Sequence, residues 1–170
     1  MTLFQKILIF AFVTLVIVIS SVVLVVTARK TRDAVRVADV SLLQNMLEIG
    51  FHRSARYPAT GLPAGEYAVL GQGPFLKLCF NNQAQPLFAL PSTACDGGVL
   101  LEQLPRDPQW INSAVGAGCA DDPSSACEYS YAVSDDGKNY QIRFRLEGPT
   151  GALQCSRYPC IKALTKDGLQ

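Results

Sequence analysis

The chain has 170 residues, 49% of them hydrophobic and 17% charged, with a net charge of +1. That length is one domain, or two at most, and the composition excludes a disordered or collagen-like chain. A chain this close to neutral lacks the basic excess of a dedicated nucleic-acid binder, so no nucleic-acid partner is expected.

The first predicted element is membrane-spanning. The 22 residues from Ile7 to Ala28 carry no charge and lie between Lys6 and Arg29. About 20 helical residues span a bilayer's hydrocarbon core, so this run suffices as an anchor. Ile7, Phe10, Phe12, Leu15, Val18, Val22 and Val25 are its candidate lipid-facing residues. The rival is a signal peptide cut after Val26-Thr27-Ala28, but the apolar run is longer than the usual core of about 7–15 residues. Four of the five basic residues in positions 1–36 (Arg29, Lys30, Arg32, Arg36) follow the run. By the positive-inside rule alone that side would be cytoplasmic. The cysteines argue the opposite, and they decide the expected topology.

The helix is expected to continue to Ser54. No proline interrupts Thr27 to Ser54, and Val35, Ala38, Leu42, Met46 and Ile49 recur at helical spacing, with Leu43 and Leu47 beside them. That stripe is the predicted helix–sheet packing face, with Arg32, Asp33, Arg36, Asp39, Gln44 and Asn45 on the solvated side and Asp39 in reach of Arg36. A charge at Leu42 or Met46 is then expected to uncouple helix from sheet. Tyr57-Pro58 ends the helix, because the residue before a proline disfavours the α region. Residues 1–28 form the membrane half, 29–56 the amphipathic half and 57–170 a β-rich exported domain.

Strands are expected at Tyr67–Leu70, Phe75–Phe80, Pro86–Leu90, Tyr129–Ser134, Tyr140–Leu146 and Ile161–Leu164. The strongest signal is a hairpin: period-two alternation on either side of Asp135-Asp136-Gly137-Lys138. Residues 91–127 read as loops and 148–170 as a disulfide-closed tail. The fold class is therefore α+β, a long N-terminal helix on a small antiparallel sheet.

Six cysteines, Cys79, Cys95, Cys119, Cys127, Cys155 and Cys160, all follow the apolar run, and none forms a C-x-x-C. An even number in loop-like sequence implies disulfides and an oxidising compartment. Of the 15 connectivities, sequential pairing (79–95, 119–127, 155–160) is the expectation. Residues 37–170 are accordingly expected outside the cytoplasm.

Catalytic signatures are absent: there is no G-x-S-x-G, H-E-x-x-H or Walker loop, and Gly71-Gln72-Gly73 lacks a third glycine. No enzyme activity, cofactor or metal is expected. His52 stands alone and reads as a surface or structural residue. Trp110 and Tyr158 read as contact or core residues, and Asp121-Asp122 and Asp135-Asp136 as solvated loops.

Three segments carry a family resemblance: Ala28–Val40 with Leu43, Leu47-Glu48 and Tyr57-Pro58; Leu104-Pro105-Arg106-Asp107-Pro108; and Tyr129-x-Tyr131 with Tyr140–Gly148. In order and spacing the chain resembles the type IV pilins and type II secretion pseudopilins. The resemblance implies a single-pass protein of a bacterial cytoplasmic membrane. Its implied partners are other pilin-like subunits, membrane lipid and an inner-membrane assembly platform. Family members begin with a basic leader, a glycine and a segment like F-T-L-I-E. The sequence here begins Met1-Thr2-Leu3-Phe4-Gln5, where Thr2 and Leu3 fit the mature register and Gln5 stands at the glutamate's place. The implied assembly residue is thus Gln5. It hydrogen-bonds without the charge pairing that selects register in hydrocarbon, which points to a minor or initiating subunit. A calcium loop is not evident after Glu147, so no calcium is expected. The alternatives are an anchored surface-binding module that never polymerises, and a soluble domain cleaved after Ala28.

Overall fold

The computed structural model describes residues 3–63, 65–109, 118–119, 126–149, 153, 155 and 158–169. Helix α1 (Leu3–Ser54) runs unbroken for 52 residues, about 78 Å. Its carboxyl end is set by Ala55, which takes the left-handed conformation (φ 58°) while its N–H still donates to the Phe51 carbonyl at 2.6 Å. The Ser54 hydroxyl closes the exit, donating to the Gly50 carbonyl at 2.9 Å and accepting from the Arg56 N–H at 3.2 Å.

Eight strands follow: β1 (Ala68–Val69), β2 (Lys77–Phe80), β3 (Pro86–Ala89), β4 (Val99–Leu101), β5 (Ser130–Val133), β6 (Tyr140–Leu146), β7 (Cys160–Thr165) and β8 (Gly168–Leu169). They form two antiparallel sheets, ordered β1-β5-β6-β7-β8 and β3-β2-β4. The α+β class is as read from the sequence, with two sheets in place of one. The expected strands are present, four of them shorter than read, β6 with the expected bounds and β7 longer. Strands β4 and β8 were not anticipated. Each has two or three residues, too few for periodicity to register, and β4 owes its place to tertiary context. Gly97 brings that segment against β2, where a Cβ would overlap the Asn81 carbonyl, and Cys95 ties it to Cys79.

β6 supplies the centre of the core. Tyr140, Ile142, Phe144 and Leu146 are buried and alternate with half-buried Gln141, Arg143 and Arg145. Against them pack Val40, Leu43 and Leu47 of α1, together with Leu70, Leu78, Leu104, Tyr129, Tyr131 and Leu164. Gly50 lets the helix approach the smaller sheet, since a Cβ there would meet Pro86 at 3.3 Å. At the helix exit Tyr57 stacks on Phe51, meets Tyr140 edge-on, and takes the Gly137 carbonyl of the β5–β6 turn on its N–H at 2.8 Å.

This packing corrects the predicted helix face. Of the expected stripe only Met46 packs against the core; Val35, Ala38, Leu42 and Ile49 are exposed. The buried face is Asp33, Arg36, Val40, Leu43, Leu47 and Gly50, roughly 130° round the helix. The stripe missed it because its lower end is ionic: Asp33 and Arg36, assigned to solvent by their polarity, are wholly buried. Asp39 does not pair with Arg36 but accepts from the Tyr129 hydroxyl at 2.9 Å. A charge at Leu42 consequently meets solvent, not the sheet.

Candidate functional site: a buried ionic clasp and an exposed helix stripe

Two features of α1 dominate the molecule. The first is a charge cluster one turn beyond the apolar run. Arg36 sits at its centre with its side chain fully buried. Its guanidinium grips Asp107 with two bonds, Nε to Oδ2 at 2.6 Å and Nη2 to Oδ1 at 2.9 Å. Nη1 donates to Asp33 at 2.8 Å and to Glu147 at 2.7 Å. Arg32 forks onto the same Glu147 at 2.9 and 2.6 Å. Asp33 then accepts the backbone N–H groups of Glu147 at 3.0 Å and Gly148 at 2.9 Å. A neighbouring pair continues the cluster: buried Glu128 takes Arg106 Nε at 3.0 Å and the Asp107 N–H at 3.0 Å.

A buried guanidinium is tolerable only where its donors are filled by ionised acceptors, as they are here. Burial alone would lower the Arg36 pKa; the bonds to Asp107, Glu147 and Asp33 outweigh it and hold the group above its ordinary value. Hydrogen bonds from Arg32 pull the Glu147 carboxyl down to about 2, against the opposing push of burial and with further help from Arg36. Burial raises the Asp39 carboxyl, partly offset by the Tyr129 hydroxyl. Burial and the facing Asp39 raise Tyr129 in turn.

The clasp joins helix residues 32–36 to residues 71 to 115 positions away in sequence. These are the three segments singled out above: the helix after Ala28, the Leu104–Pro108 stretch and the end of β6. Sequence reasoning noted them as motifs but missed their shared contact. The available signal was that Asp33, Arg36, Asp107 and Glu147 are charged residues inside otherwise structural motifs.

The second feature is an uncovered apolar surface. Every described large apolar side chain from Phe4 to Val26 is at least 44% exposed, so Ile7, Phe10, Phe12, Leu15, Val18, Val22 and Val25 all lack a protein cover. The helix is long and apolar enough to cross a membrane. Gln5 lies exposed in its first turns. Beyond the run, Val35, Ala38, Leu42 and Ile49 extend the apolar surface along the side of α1 turned from the sheets.

The cysteines pair as expected: Cys79–Cys95, Cys119–Cys127 and Cys155–Cys160. Tyr158 packs against the core. Asp136 is solvent-exposed and fixes the β5–β6 turn, accepting from the Ser134 hydroxyl at 2.6 Å and the Lys138 N–H at 3.0 Å. His52 is exposed on the helix. Trp110 and Asp121-Asp122 lie outside the described residues.

Comparison with protein-family models, with curated proteins and with solved structures found no match for this chain. The architecture, a long N-terminal apolar helix packed on a small antiparallel sheet, fits that of pilin-like proteins.

Proposed function

We propose that the chain is a pilin-like structural subunit of a type IV pilus or type II secretion pseudopilus, held by Ile7–Ala28 in a bacterial cytoplasmic membrane with its β-domain outside the cytoplasm. The observation that carries this reading is the surplus apolar surface of α1. An anchor alone needs no more than the span. Here exposed Val35, Leu42 and Ile49 continue the apolar surface past it, on the side the domain leaves open. A neighbouring helix covers such a stripe, and the role is structural rather than catalytic. Three disulfides support an oxidising compartment. Gln5 in place of an acid favours a minor or initiating position, since it brings no charge to be neutralised by a neighbour in hydrocarbon.

The test is cross-linking in native membranes through single cysteines placed at positions between Ile7 and Val26. Multimer ladders are expected, and Leu42→Asp should shorten them while the domain's unfolding free energy stays within about 0.5 kcal/mol of wild type, as for an exposed site. A lone monomer band would replace this reading with the second, an anchored surface-binding module. The neutral Gln5 is the observation that favours that alternative.

A further inference from the structure

We infer that Arg29 and Lys30 form a binding site for anionic phospholipid headgroups, and that the folded domain seats directly on the bilayer surface. The inference rests on Ile7–Ala28 crossing the membrane. The sequence places four cations between positions 29 and 36, just after the apolar run, and the structure divides them. Arg36 is buried among Asp107, Asp33 and Glu147, and Arg32 is committed to Glu147. Those five side chains sum to one net negative charge, so they present no positive field to a membrane. Arg29 and Lys30 are exposed and, among the described residues, have no acidic or hydrogen-bonding partner.

Spacing places the pair at one depth. The headgroup layer adds roughly 5–7 Å to each side of the hydrocarbon core. The four residues 29–32 rise about 6 Å along the helix. Arg29 and Lys30 therefore lie within the headgroup layer, immediately past the last apolar residue. The domain's first ties to the helix, Arg32 to Glu147 and Asp33 to the Gly148 N–H, begin at its outer edge. No acidic side chain precedes Asp33 in the sequence to repel a phosphate, and Asp33 is itself buried. Two exposed cations beside the apolar run, just ahead of the first ties to the domain, suit the phosphate of an anionic lipid.

The test uses the full chain reconstituted into vesicles of phosphatidylcholine with a minor fraction of phosphatidylglycerol. Spin-labelled lipids of each type report which headgroup is held next to the protein. The expected result is a preference for phosphatidylglycerol of roughly five-fold or more at low salt. It should fall close to parity in Arg29→Gln/Lys30→Gln and in 0.5 M salt on the order of the screening limit. The double variant should keep the wild-type melting midpoint, because neither side chain has a fold contact. Equal affinity for both lipids, or an unchanged preference in the double variant, overturns the headgroup site while leaving the anchor intact. Failure to enter vesicles of either composition overturns the membrane-spanning reading and this site with it.

Discussion

Arg36 is the residue on which the attachment of helix to domain turns. Removing one partner of a buried ion pair leaves the others charged and unpaired, at a cost of about 3–5 kcal/mol. Arg36→Met should therefore destabilise the domain by that amount, read from denaturant unfolding of the full chain in micelles. Arg36→Met combined with Asp107→Leu should cost less than the two single changes summed, because the double variant no longer strands the Asp107 charge. Glu147 makes the same cluster sensitive to acid. Its folded pKa of about 2 lies below the ordinary 4.5, so its contribution is complete above pH 4.5 and is lost as pH falls toward 2. Asp39, whose pKa is raised, works in the opposite direction and takes its proton in the native state first. Between pH 4.5 and 2 the melting midpoint of the wild type should fall more steeply than that of Glu147→Gln.

At the scale of elements, α1 presents three surfaces, and residue type alone distinguishes only one. The apolar run was legible because 22 uncharged residues in a row make a helix long enough to cross a membrane. The hairpin was legible because β6 alternates strictly and its turn carries Gly137. The packing face was not. Leu42 and Leu43 are the same residue type one step apart, and which of them is buried depends on a rotation that the Arg36 clasp and Gly50 impose together. Leu43 and Leu47 are buried while Leu42 is 39% exposed. Leu47→Ala should cost about 2–5 kcal/mol, the range for a leucine cut back in a packed core. The same change at Leu42 should move the unfolding midpoint little. Equal losses at both positions would mean that the buried face is wrongly assigned.

For the whole molecule, the small sheets need help to stay closed, and the disulfides supply it. Closing loops of 16, 8 and 5 residues contributes about 2–3 kcal/mol each in the chain-entropy account. Loss of Cys79–Cys95 by paired serine substitution should be the most damaging, near 3 kcal/mol, because it closes the longest loop and anchors β4. Thermal unfolding of the oxidised full chain against that variant measures it. The even cysteine count foretold disulfides, while their sequential order, one of 15 connectivities, was an expectation that the fold bears out. The two-sheet division was hidden, because β4 exists through that bond and the Gly97 approach rather than through its own three residues.

The domain grips the second half of α1 at both its ends, by the ionic clasp near Arg36 and by Tyr57 and Gly137 at the exit, with no break in the helix between. Span and domain therefore move as one lever. A tilt of about 20°, ordinary for a single helix in a bilayer, swings Ser54 roughly 13 Å sideways relative to Ala28. A twist of the buried half turns the sheets through the same angle. With the apolar run in a bilayer, whatever sets the lean of α1, a neighbour or the lipid itself, would also aim the far face of the domain.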